Sequence, residues 1–407
     1  MITVNLQALV RTLKSLVRSI LSKLSLVFLS DISVSQKLNY DLLGHGDDHY
    51  FVGYYDKDPV SQSGTHVLCH KVSSNFGNMV EPSNAVIGLL CLADNNFQEL
   101  AKTNAMNWQL GSRAQWLGKD IIIYNDIING KQCSVKFDCK KMEPLVVFKR
   151  PFWDVSHDKK LAASLNFSRI KTMRPGYGYD GVNIDQDDEV LTVFGLDDDQ
   201  LICEIKLKEI LEKINFENVN NENIYMNHIV WSPCNQKLVT MFHYDDKNTH
   251  KRRIFPVLID IKTKDIDLLC DSGNFSHHTF MDDKRILAYL KLDNEYFFGI
   301  WSKDTGWAQV QGPMPALDGH PTYVKSLNRI IVDSYPNRFG IMSLYLGSPT
   351  PGDKLKSLAK VHSSPQNVGP IRCDLHPRVS LEHGLVICDV PYKNRRKILV
   401  IKGALDV

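Results

Sequence analysis

The chain has 407 residues, 43% of them hydrophobic and 23% charged, with a formal net charge of +2. That is an ordinary composition for a folded protein. Near-neutral charge, with no basic stripe interleaved with aromatics, excludes nucleic acid as a partner. The nine cysteines are odd in number and show no CxxC spacing, which argues against a zinc ribbon, a redox dithiol or a disulfide framework. Several, such as Cys388, sit inside apolar runs, as expected of free thiols in a reducing, cytoplasmic setting.

Residues 1–30 contain Arg11, Lys14, Arg18 and Lys23 and no acidic residue. On a helical wheel Leu9, Val10, Leu13, Leu16, Val17, Ile20, Leu21 and Leu24 share one face, with Arg11, Lys14, Ser15, Arg18 and Ser22 opposite. The charges interrupt the roughly 20 apolar residues that a membrane span needs. The apolar run over 24–29 is short for a signal peptide and lacks a small-residue cleavage site. A basic amphipathic helix is predicted. Either residues 9–24 anchor it on an anionic membrane surface, which would make the protein peripheral at the inner membrane, or it docks on protein.

From residue 45 to 402 the dominant signal is a polar turn followed by a short apolar strand. It recurs at 61–70, 117–126, 156–167, 232–243, 281–290, 324–335 and 380–390. Most intervals are about 40 to 55 residues, the length of a four-stranded antiparallel blade. One interval is longer, roughly 75 to 80 residues; it holds Arg174-Pro-Gly-Tyr-Gly-Tyr-Asp-Gly181 and one internal helix pattern over 205–214, so the blade there carries an insertion. Seven such units predict an all-β fold, a seven-bladed β-propeller with an N-terminal amphipathic helix. Closure is expected from the last strand, 397–402, pairing with early sequence, because a closed ring leaves no bare edge.

Four of the fourteen histidines stand just before the turn-and-strand unit of successive late repeats: His228, His277, His320 and His376. In a propeller the innermost strands line a central channel, so residues at one repeat position converge on the axis. Imidazoles there, with Asp374 beside His376, suit Mn, Fe, Ni or Zn. The bland alternative is that such histidines bond a neighbouring blade's backbone. Arg113, Tyr177, Arg338, Arg372, Arg378 and Arg174 compete for the same face. Rings stacking on sugars and guanidiniums gripping carboxylates would suit an anionic glycan, whereas packing between blades is their structural alternative. The segment 49–59, dense in aromatics, carries Asp56 and Lys57.

The runs around these histidines, NHIVWSPCNQKLVTMFH, SHHTFMDDKRILAYL, DGHPTYVKSLNRIIVDSYPN and DLHPRVSLEHGLVICDV, resemble the propeller family of oligogalacturonate lyases. GYYDKDP, RPGYGY and RCDLHPR also resemble a subgroup associated with bacterial surface-polysaccharide gene clusters. The resemblance implies a divalent metal, typically manganese, and cleavage of uronate-containing oligosaccharides by β-elimination. It implies His228 as base, with Asn227 where the family has Gly. It also implies His277 and His376 as metal ligands, with Asp374 where the family has the first His of its His-Pro-His motif. Ile371 stands in place of the family's glutamine ligand, and His320 is the candidate to restore the count. Arg174 stands for the family's substrate arginine. Two other readings remain open: a glycosyl hydrolase or transferase, for which Asp56, Asp126 and Asp333 are candidate acids, or a non-catalytic scaffold that recruits glycan-biosynthesis partners.

Overall fold

A computed structural model describes residues 31–73, 82–182, 190–214, 223–246 and 251–406, together with Val17 and Ile20. The amphipathic stretch at 1–30 otherwise lies outside the described residues. Among those described, no helix is long and apolar enough to cross a membrane.

Each repeat begins a hairpin in the way its sequence dictates. Ser61, Ser156 and Ser232 open three of the turns, and each hydroxyl accepts from the backbone N–H five residues on, at 3.0–3.1 Å. Left-handed turn residues Gly64, Lys159, Asn235, Asn328 and Gly384 then reverse the chain, mostly with the residue types that tolerate positive φ. The strand that follows is buried along its centre, as at Leu238–Phe242, Ile286–Leu290 and Val386–Val390. A blade packs against a neighbour on both faces, so its middle strands read as continuous apolar runs.

Seven antiparallel sheets result, arranged as a propeller. Their inner strands are His49–Phe51, Gln115–Trp116, Asp154–Val155, Ile224–Trp231, Phe275–Phe280, Pro321–Val324 and Arg378–Ser380. The seventh blade is completed by early sequence: Asn39–Leu43 pairs antiparallel with Arg395–Lys402. That is the expected closure. Ile32–Val34 adds a fifth, outermost strand to the sixth blade against Lys356–His362. The ring therefore takes in chain ahead of residue 45.

The long interval is an elaborated third blade. Between its second strand, Leu161–Ser164, and its third, Val190–Gly195, lies helix α1 (Phe167–Met173), capped by the Asn166 side chain accepting from Arg169 N–H at 2.9 Å. Helix α2 (Leu207–Lys213) follows the blade's last strand and matches the predicted internal helix. The sequence pattern does not reveal α1, because seven residues burying only Phe167 and Ile170 make no periodic signal.

Candidate functional site

The four register histidines converge on the channel. His277 and His320 have ring centroids 3.9 Å apart, His320 and His376 4.3 Å, and His228 and His277 6.2 Å. Backbone irregularity aims them. His228 has φ +68° where the inner strand bulges between Asn227 and Val230, and His376 has φ +46°, both uncommon for a residue with a side chain. The inner strand carrying His277 also shifts register between Phe275 and His278.

His320, Asp374 and His376 offer ligand atoms that all lie within 4.8 Å of one another. Carboxylates fix the imidazoles from behind. Asp333 accepts from His320 Nδ1 at 3.0 Å, from His320 backbone N–H at 2.6 Å and from His376 backbone N–H at 3.1 Å. Asp318 accepts from Ser276 Oγ at 2.7 Å and lies 3.3 Å from His277 Nδ1. A carboxylate on Nδ1 leaves Nε2 with its lone pair facing forward, the arrangement that orients metal-binding histidines.

The electrostatics favour a cation. Burial and then the neighbouring His320 hold His277 and His376 below the ordinary imidazole value, so both rings are neutral. Burial opposes charge on His320 too, but Asp333 outweighs it and raises its pKa. Burial would likewise raise Asp374, yet Arg372, whose Nε donates to it at 2.7 Å, holds it below the carboxylate range. Three carboxylates line the cluster, Asp318 against His277, Asp333 against His320 and Asp374 against Arg372. His320 Nε2 and His376 Nε2 are buried with no partner. Two orphaned imidazole nitrogens beside a carboxylate are what a divalent ion of the Mn, Fe or Zn type would fill, so the residues fit such an ion.

His228 sits behind this cluster, with Tyr54 Oη 2.7 Å from Nδ1 and Tyr55 Oη 3.2 Å from Nε2. Burial, then His278 and His277, drive its pKa well below 6.5. Arg174, at the end of α1, lies over the Tyr177 ring at 4.6 Å and pairs with no carboxylate among the described residues. Arg372 bonds Tyr177 Oη at 2.5 Å. A cavity of about 230 Å³ is lined by Tyr335, Ser363, Val368, Arg372 and Asp374 among others.

Three expected substrate-binding arginines lie elsewhere. Arg113 is buried, its guanidinium gripping Asp56 at 2.8 and 3.0 Å while Nε donates to Trp153 O. Arg378 is fully buried and donates to the Gly53 and Tyr54 carbonyls and to Asp389. Neither presents a face to a sugar. Both instead hold the Gly53–Asp56 turn, because long-range carboxylates claim them. Arg338 is exposed in a turn of the sixth blade, over Phe339, outside the cluster. The three candidate hydrolase acids are also separately committed: Asp56 to Arg113, Asp126 to the backbone N–H of Asn104 and Ile127, and Asp333 to His320.

Sequence reading missed Tyr54, Tyr55, Asp318 and the orienting role of Asp333. The signals were present: two tyrosines after a glycine in GYYD, and acids standing near histidines as in DGH.

The fold defines a seven-bladed β-propeller carrying an imidazole–carboxylate cluster at its channel. Among solved structures, it is similar to an oligogalacturonate lyase in complex with manganese, with TM-score 0.61 and 12% identity over 90% of this chain and 96% of that one. It is similar also to the oligogalacturonate lyase of Vibrio parahaemolyticus, with TM-score 0.59 and 11% identity over 91% and 98% of the two chains. The tricorn protease shares the fold more loosely, with TM-score 0.51 and 9% identity over 85% of this chain and 33% of that one. The sequence matches no protein-family model and no curated protein.

Proposed function

We propose that the chain is a metal-dependent lyase that cleaves a uronate-containing oligo- or polysaccharide by β-elimination, in bacterial surface-polysaccharide metabolism. The observation that carries it is the pair of buried, unpartnered Nε2 atoms on His320 and His376, beside Asp374 and next to a neutral His228. The match over 90% of the chain to the fold of a manganese-bound oligogalacturonate lyase supports the same reading.

His277, His320, Asp374 and His376 would hold the ion, most simply manganese. When bound, it would supply Lewis-acid stabilisation of charge building on the uronate carboxylate. Arg174, with no carboxylate partner among the described residues, offers its guanidinium to that group, and Tyr177 lies beneath it. Dispersing the charge acidifies the proton next to the carboxylate. His228, neutral and with no carboxylate partner among the described residues, serves as proton acceptor. The glycosidic oxygen then departs from the adjacent carbon and leaves an unsaturated sugar.

The test separates metal from base. His277→Ala or His376→Ala should lower bound manganese, measured by elemental analysis. His228→Ala should abolish the ultraviolet absorbance of the unsaturated product and leave metal content unchanged. Full lyase activity in His228→Ala, or a protein that holds no metal under any loading, overturns the reading.

A further inference from the structure

Both nitrogens of His228 are covered by hydroxyls. Tyr55 Oη donates to the His278 carbonyl at 2.8 Å, so it meets His228 Nε2 with a lone pair, and Nε2 carries the imidazole proton. Nδ1 is then the acceptor, and Tyr54 Oη, 2.7 Å away, donates to it. The histidine itself is 1% exposed. A substrate proton reaches it only through one of these two hydroxyls. Tyr55 has its hydrogen committed to a backbone carbonyl, which leaves Tyr54.

Tyr54 is also placed beside the metal cluster. Its ring packs between His228, 4.7 Å away, and His376, 5.0 Å away. The backbone that carries it is locked at both ends. Val52 and Gly53 N–H donate to Asp389 at 2.8 and 3.0 Å, Arg378 donates to the Gly53 and Tyr54 carbonyls, and Arg113 grips Asp56. Gly53 has φ +116°, and a Cβ there would fall 2.5 Å from Leu110 O, so the turn requires glycine. A hydroxyl held this firmly in front of a base is preorganised rather than incidental.

Resting on the lyase reading, we propose that Tyr54 is the catalytic group that meets the substrate, with His228 as the proton store behind it. As the C–H bond next to the carboxylate breaks, its proton passes to Tyr54 Oη while the hydroxyl proton passes to His228 Nδ1. The C–H electron pair becomes the new C=C bond, and the C–O pair leaves with the glycosidic oxygen. The proton then returns from Nδ1 to Oη and from Oη to the departing oxygen, so both residues end as they began. Direct abstraction by His228 would first require the Tyr54 hydroxyl to move aside.

The experiment uses manganese-loaded full-length protein with a panel of polyuronates as probes. Tyr54→Phe keeps the ring and removes the hydroxyl. It should lower kcat by about 10²–10⁴-fold, the usual worth of a positioned acid–base group, with KM and bound metal unchanged. A kcat near the wild-type value overturns the relay and leaves the His228 lyase reading standing. A wild type silent on every polyuronate overturns both. Should Tyr54→Phe fold poorly, the wild type still decides. The relay requires D₂O to slow the same step that deuterium at the scissile C–H slows, and C–H cleavage indifferent to D₂O refutes it.

Discussion

Replacing Asp333 by Asn removes one negative charge and little volume from the centre of the cluster. The carboxylate is 2% exposed and accepts three hydrogen bonds: the His320 ring, the His320 backbone N–H and the His376 backbone N–H. An Asn oxygen can still accept from His320 Nδ1–H, but its NH₂ must then face a backbone N–H, donor against donor. Stranding a buried donor costs about 1–3 kcal/mol of fold stability. Separately, His320 loses the charge that orients its ring and makes Nε2 a better ligand. Partners of this kind are worth about 10–100-fold in metal affinity, which is about 1.4–2.7 kcal/mol at 1.36 kcal/mol per decade. Calorimetric titration of manganese into metal-stripped wild type and Asp333→Asn, with thermal melts beside it, reads both quantities. A folded variant that binds manganese as tightly as the wild type would show that Asp333 merely packs.

Three further outcomes follow from the same contacts. Asp56→Ala leaves the Arg113 guanidinium buried and unpaired, which should cost about 3–5 kcal/mol in denaturant unfolding; a loss under about 1 kcal/mol would mean that water reaches the pair. Metal-free protein should lose stability from about pH 6.5 downward. Burial holds His70 at about 4 and His278 at about 3, so the unfolded chain takes up protons there that the folded chain refuses. Their contribution is complete above 6.5 and falls away as pH drops toward the folded values, with His70 alone worth about 3 kcal/mol by pH 4. A melting temperature flat between pH 6.5 and 4.5 contradicts this. Finally, co-sedimentation with anionic vesicles should depend on residues 1–30 and weaken with salt. Equal binding by a chain lacking them removes the membrane reading.

The propeller was legible because its signal is local and repeated. A serine, a left-handed turn residue and a buried strand fit within about a dozen residues, and closure follows from the cost of an open edge. The histidine register was legible for the same reason, with one residue per unit at one position. What sequence could not show is pairing at a distance. Arg113 and Asp56 are separated by 57 residues and Gly53 and Asp389 by 336, so nothing local says that Arg113 and Arg378 are buried anchors rather than sugar ligands. Tyr54 and Tyr55 do not stand out in the sequence because two aromatics in the turn after an inner strand read as packing. Their meaning appears only once His228, more than 170 residues away in sequence, is seen against their hydroxyls.

Ring closure and ion binding share the same blades. His277 comes from the fifth blade, His320 from the sixth, and Asp374 and His376 from the chain entering the seventh; Asp333 of the sixth blade also holds the His376 backbone. The seventh blade exists as four strands only because Asn39–Leu43 completes it. An ion held across these blades would therefore favour the closed ring wherever opening lets the blades part. At 100 times its dissociation constant it would add about 2.7 kcal/mol to the stability of the closed form. Linkage makes the effect reciprocal: whatever populates the opened form lowers the ion's apparent affinity in proportion to the closed fraction lost, although the Asn39–Leu43 strand contributes no ligand. Leu43→Pro, at a core position of the closing strand, should cost manganese affinity as well as thermal stability. If affinity holds while melting falls, the ligands are already assembled without closure, and the seventh blade is no part of what makes the site.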